Sequence, residues 1–272
     1  MYTSDQSVSK ERREYLRSKK RRKRLILTIQ ISLLVGFLAL WEVLARIGVI
    51  DSFVMSQPSR ILATFLNLSQ NNLLLHVGVT VYETVVGFLL GTILGTLCAI
   101  ALWWSDFFSR VFEPYLVVLN SLPKVALGPV IIIWAGAGTR AIIVMALAIS
   151  LIVTILEVLG GFSATDRDLI KMGRTFDATR RELFTKIVFP SNIRTIFNSV
   201  KISIGLSLVG VISGEFLVSK AGLGYLIVYG GQVFKLDLVM ASVIILAILA
   251  AALYQIVRLV EKIVLKRLSH QP

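Results

Sequence analysis

The sequence predicts an all-α integral membrane protein with six transmembrane helices and both termini in the cytoplasm. Three observations carry that expectation. Hydrophobic residues make up 56% of the 272, with a mean hydropathy of +0.78; the apolar runs are long and do not alternate; and Lys and Arg crowd one side of the connections. A bilayer admits only helices or closed barrels, and unalternated runs near twenty residues select helices.

Residues 1–24 form a basic N-terminus, with KERREYLRSKKRRKR directly ahead of the first span. Retention of positive charge in the cytoplasm and attraction to anionic membrane lipid both account for this run. The net charge of +13, which would suggest nucleic acid in a soluble protein, is thereby explained, and no nucleic-acid partner is expected.

The first span, 25–45, is about twice the length of a signal-peptide core and lacks a small-x-small cleavage site, so a retained anchor is expected. Residues 51–75 follow as an external segment, in which Pro58 and Ser59 open a short amphipathic surface helix. The second span, 77–103, contains GFLLGTILG, whose small residues at four-residue spacing suit close helix packing within the chain or between two copies.

The third span, 116–134, carries Pro123, Lys124 and Pro129 and is expected to be kinked rather than broken. Spans four to six fall at 142–160, 195–217 and 238–257, and a cytoplasmic tail occupies 259–272. Of the 29 Lys and Arg, 22 lie in the N-terminus, the 105–114 turn, the 161–194 region and the C-terminal stretch from Arg258, against five in the other connections. That asymmetry makes the 161–192 loop cytoplasmic.

Catalytic motifs are missing from the sequence. It has no G-x-x-x-x-G-K-[ST] phosphate loop, no H-E-x-x-H, no G-x-S-x-G and one cysteine, Cys98, while His76 and His270 are far apart. Neither an enzyme nor a metal site is expected, and no cofactor is expected to be bound by this chain.

The loop GFSATDRDLIKMGRTFDATRRELFTKIVFPSN holds the positive signal. Thr165 or Asp166 suits a helix cap with Asp168 in the first turn; Thr179 and Glu182 form an S/T-x-x-E capping box opening a second helix that Pro190 ends. Two short helices therefore meet near Phe176 and Asp177, an organisation that suits either docking of a partner or a surface-lying connection.

This loop resembles the coupling loop of type I ABC importer permeases, whose pattern is E-A-A, three residues, Gly, nine residues, then I-x-L-P. Ile187, Val188, Phe189 and Pro190 match its end, while Lys171, Met172, Gly173 and Asp177 depart from the E-A-A and the glycine. Arg174, Thr175, Ala178, Arg180 and Leu183 suit the nitrate, sulfonate and taurine branch. SLPKVALGPVIIIWAGAG, 121–138, resembles the proline-containing third span of that branch, and GEFLVSKAGLGYLI, 214–227, its hairpin after the fifth span, so the likeness covers 74–258.

The resemblance implies the type I permease fold and a division of labour. Two permease copies, expected to be identical, form a path for a small anion, sulfonate or related compound. Two ATPase subunits work with ATP and Mg, and an extracellular or periplasmic binding protein delivers the solute. It places ATPase coupling on Asp168, Lys171, Gly173, Arg174, Asp177, Ala178, Thr179, Arg180 and Pro190.

Asp177 has two readings: an Asp that accepts φ above zero at a tight turn, or a charge that selects one ATPase. Pathway or gating candidates are Pro123, Glu83, Glu215, Gly222 and Gly224. Lys201 and Glu157 are expected to snorkel or to pair with each other. The competing classes are an ion-driven secondary transporter, with Glu83, Glu157 or Glu215 carrying protons, and a membrane scaffold without a transport path.

Overall fold

The computed structural model describes residues 10–66 and 72–268, with side chains described from Tyr15 to Arg267 apart from 67–71; His270 lies outside them. All regular structure among the described residues is helical. Among the described residues, five helices are long and apolar enough to cross a membrane, and a bent pair makes a sixth if its two arms count as one span. The chain divides into two compact units, 1–63 and 64–272.

In the first unit, α1 (Lys10–Arg46) is exposed along most of its length, followed by α2 (Ser52–Met55) and the start of α3 (Pro58–Leu66). Proline opens α3, where its missing N–H costs no helical bond. Glu42 accepts a hydrogen bond from the Ser59 N–H at 3.0 Å and pairs with Arg46 at 2.8 Å.

The second unit is built on α4 (Leu73–Trp103), α7 (Thr139–Ser163) and α11 (Ile193–Val218), with α7 packed against both others. Small residues bring them together. A Cβ added to Gly87 would stand 2.6 Å from the Ala146 Cβ, and one at Gly95 2.7 Å from the Thr154 Cβ, with Gly91 against Ser150 between them. Three glycines four apart on α4 thus face three residues four apart on α7. The glycines of GFLLGTILG are thus used for packing inside the chain, while Leu89, Leu90, Ile93 and Leu94 remain exposed.

From the other side, Gly210 of α11 meets the Ala146 backbone, and Thr154 and Ser203 share a hydroxyl hydrogen bond of 2.6 Å. α13 (Leu236–Leu268) packs on α11 and on α12 (Leu223–Gln232). The 214–227 segment, read as a hairpin, runs from the end of α11 into this ten-residue helix.

The third span departs from expectation. α5 (Asp106–Ser121) begins ten residues early, inside what reads as a turn, capped by the Ser105 hydroxyl. It is followed by a 3-10 turn, Lys124–Leu127, and α6 (Gly128–Ala135), and the two arms meet at 86°. The segment is broken rather than kinked. Proline disfavours the helical region for the residue before it, and Leu122, ahead of Pro123, takes ψ 139°. The Lys124 ammonium returns to the Asn120 carbonyl at 2.9 Å and caps the orphaned end of α5.

One ion pair also differs. Lys201 pairs with Glu261 of α13 at 2.9 Å, both largely buried, whereas Glu157 is exposed.

Candidate functional site

The charged loop between α7 and α11 folds as two unlike halves. α8 (Arg167–Thr175) is capped by Asp166, whose carboxylate accepts from the Asp168 N–H at 2.8 Å. Lys171 pairs with Asp168 at 3.0 Å, an exposed contact of little energetic weight. At its far end, the Ala178 N–H bonds the Gly173 carbonyl at 3.1 Å and the Asp177 N–H bonds the Arg174 carbonyl at 3.0 Å. These two bonds define a Schellman motif with Asp177 at the left-handed position, φ +53°. The family pattern's glycine coincides with the one residue here that needs positive φ.

The second half comprises α9 (Arg180–Leu183), a π turn over Phe184–Val188 and α10 (Phe189–Ser191). Thr179 and Glu182 form the full capping box: the Thr179 N–H donates to the Glu182 carboxylate at 3.0 Å, and the Glu182 N–H donates to the Thr179 hydroxyl. These bonds, aided by Lys186 at 3.1 Å, pull the Glu182 carboxyl down to about 2. Pro190 does not end this helix. The wider π turn ahead of it absorbs the position where a proline ring would strike the preceding turn, and helix continues to Ser191.

This half is anchored. The Phe184 ring lies 4.9 Å from Trp103 and 5.4 Å from Phe162 between centroids, and Val188 is fully buried beside Ala99, Val158 and Leu159. Arg180 donates to the Trp103 carbonyl and to Asp106, each at 3.2 Å, with its guanidinium 5.6 Å from the Trp103 ring. At the loop's ends, the Asn192 amide donates to the buried Thr165 hydroxyl at 2.7 Å.

The first half is joined to the second at Gly173. A Cβ there would stand 2.6 Å from Leu183 and 2.9 Å from Ile187, so the helices touch only because that side chain is missing. The outer face of α8 is left open. Leu169, Met172 and Phe176, spaced three and four apart, are exposed, Phe176 to 79%. The opposite face of α8, with Arg167, Ile170 and Arg174, borders a recess of about 660 Å³ that Trp103, Asp106, Arg110 and Arg180 also line.

Of the residues singled out in the sequence, Asp168, Lys171, Gly173, Arg174, Asp177, Ala178, Thr179, Arg180 and Pro190 all fall on this loop. The apolar trio Leu169, Met172 and Phe176 is a feature that composition hides, because the loop reads as charged; its i, i+3, i+7 spacing is the signal.

A second constellation lies in the bundle. Glu215, Gly222 and Gly224 come together; Glu83 is fully buried on α4 with neither carboxyl oxygen hydrogen-bonded among the described residues, and Pro123 lies at the break after α5. Three successive N–H groups at the start of α12 are caught by side chains: Gly222 by His76 Nδ1 at 2.9 Å, Leu223 by the Thr80 hydroxyl at 2.8 Å, and Gly224 by the Glu215 carboxylate at 2.5 Å. Thr80 in turn donates to Glu215 at 2.6 Å. Gly222 has φ +114°, and a side chain there would collide with the Glu215 carboxyl.

The described residues thus form apolar spans and a capped loop with an exposed apolar face. Residues 87–270 match the family described as "Binding-protein-dependent transport system inner membrane component", and the chain belongs to that family. It is therefore a multi-pass protein of the cytoplasmic membrane and a transport permease of the ABC importer type, not itself an enzyme.

Its relatives include a protein described as a putative aliphatic sulfonates transport permease, SsuC of Bacillus subtilis, 27% identical over 96% of this chain and 95% of that protein. The taurine transport system permease TauC of Escherichia coli is 23% identical over 87% and 90% of the two chains. Among solved structures, the inward-facing MetNI methionine ABC transporter superposes with a TM-score of 0.61 at 17% identity, covering 72% of this chain and 95% of that one, a likeness of fold.

Proposed function

We propose that this chain is the path-forming subunit of an importer for a small anion, sulfonate or related organic compound, and that residues 168–189 couple it to a separate ATPase. The relatives' described sulfonate and taurine transport supports the solute class. One observation supports the coupling role above the rest: Leu169, Met172 and Phe176 present an apolar face on a helix whose partner half is sunk into the bundle.

In this reading α8 sits in a groove of the ATPase, which binds ATP and Mg. Closure of the ATPase pair moves the loop as a rigid body and tips α4, α7 and α11 between two states. Two permease copies and a substrate-binding protein complete the assembly, and the Lys and Arg distribution puts the loop and both termini in the cytoplasm. The phosphate loop missing from the sequence is supplied by the partner.

Co-purification from native membrane tests this. The chain is expected to bring down an ATPase subunit in stoichiometric amount, and Met172→Ser with Phe176→Ser to lose it while the permease remains folded. Gradient-driven, ATP-independent uptake by this chain alone would overturn the proposal.

A further inference from the structure

The recess behind α8 holds more positive charge than its surroundings neutralise. Arg110, Arg167, Arg174 and Arg180 line it against a single carboxylate, Asp106. That carboxylate is already engaged, because Arg180 donates to it at 3.2 Å. Arg110, Arg167 and Arg174 enter no ion pair with any described residue. The two acids flanking Arg167 are occupied on the loop itself: Asp166 caps α8, and Asp168 pairs with Lys171. Glu113 and Asp177, each three residues from one of these arginines, do not line the recess.

The unpaired charge is concentrated in one place by two helices. On α5, Asp106, Ser109 and Arg110 fall three and four residues apart and line the recess; on α8, Arg167, Ile170 and Arg174 do so at the same helical spacing. Leu169, Met172 and Phe176 occupy the opposite stripe of α8, so the recess is separate from the exposed apolar face. Trp103, Phe162, Leu183 and Val188 give the recess apolar walls, with Phe162 and Val188 almost fully buried.

A concave site with low-dielectric walls focuses the field of like charges, and a planar guanidinium matches the paired oxygens of a phosphate or sulfonate. We propose that the recess is an oxyanion site in which Arg110 of α5 and Arg167 and Arg174 of α8 hold a phosphate-type group between the two helices. Among the described residues no hydrogen bond or ion pair joins α8 to α5, although Arg180 of the other half of the loop reaches Asp106. The bound anion supplies that link and fastens α8 to the bundle by charge.

The group has two sources. Trp104, at the end of the α4 span, and Phe107 and Phe108, beside the residues of α5 that line the recess, are exposed aromatics of the kind found at the level of lipid headgroups. An anionic phospholipid therefore reaches the arginines with its headgroup, and a free oxyanion reaches them from water. The volume of about 660 Å³ is that of a small-molecule site and accommodates either.

Hydrogen exchange at the 167–175 amides of the full chain in lipid nanodiscs tests the site. In neutral phosphatidylcholine, inorganic phosphate at about ten times its dissociation constant is expected to slow exchange about tenfold. Slowing that requires phosphatidylglycerol in the disc, and that phosphate does not reproduce, assigns the site to lipid headgroups. Either response is expected to vanish in Arg110→Gln with Arg167→Gln, whose exposed, unpaired side chains carry no part of the fold. It is expected to persist in Arg258→Gln with Lys262→Gln, which removes the same charge from α13. Sodium chloride at equal ionic strength separates binding from screening in the native chain alone. The proposal is overturned if neither source slows exchange, if chloride acts as strongly as phosphate, if the recess variant responds like the native chain, or if the α13 variant loses the response as well.

Discussion

Asn192 donates its side-chain amide to the hydroxyl of Thr165, 2.7 Å away and 27 residues earlier, and so closes the charged loop at its base. Both residues are buried, so neither finds water if the other is lost. Asn192→Ala also removes a bond to the Val188 carbonyl at 2.8 Å and is expected to cost about 1–3 kcal/mol. Thermal unfolding of the purified permease measures the loss, and Thr165→Ala, which spares the Val188 bond, should cost less.

Gly173 is the seam between the halves of the loop. Gly173→Val would place branched carbon where Leu183 and Ile187 already stand, an overpacking that costs about 1–3 kcal/mol and splays α8 from α9. The expected outcome is faster proteolysis within 167–183, with the membrane spans untouched. If protease sensitivity matches that of the native chain, the seam is not closed as described.

Asp177 tolerates φ +53° because a short polar side chain tolerates left-handed backbone better than a branched one. Asp177→Gly should keep the loop folded and leave partner recovery intact. Asp177→Val should cost about 1–2 kcal/mol of loop stability, read as hydrogen exchange at the 177–178 amides. Loss of ATPase recovery in Asp177→Gly, with the fold preserved, would instead make the charge a partner-selecting feature.

Glu182 gives the loop an acid limit. Its folded carboxyl is lowered to about 2 from an ordinary 4.5, so its stabilising effect is complete above about 4.5 and disappears as pH falls through about 2. Amide protection at 179–186 should decline over that interval in the native chain. Glu182→Gln keeps a capping partner for Thr179 but should make protection in that interval insensitive to pH.

What could be read from the sequence was local. Twenty-residue apolar runs announce α4, α7, α11 and α13 because the bilayer thickness sets their length, and Thr179 and Glu182 announce their helix because both bonds of the box lie within four residues. Pro190 misled for the same reason: proline as helix terminator is a nearest-neighbour rule, and a π turn evades it by one residue. The break at Leu122 and Pro123 was half visible, since proline positions mark a discontinuity but not an 86° change of direction. Thr80 of α4 and Glu215 of α11, separated in sequence by α5 to α10, meet only through tertiary packing, as do Lys201 and Glu261. No spacing in the sequence encodes those encounters.

Phe184 touches the aromatic end of α4 through Trp103 and Trp104 and the end of α7 through Phe162, in a cluster against which Ile196 of α11 also packs. A single ring thus bears on the ends of several spans at one height. Stiffness at that point is shared, so a displacement imposed on the loop cannot be absorbed by one compliant helix while its neighbours stay still. Shaving Phe184 to a smaller residue would leave every span and every cap in place and make the joint soft.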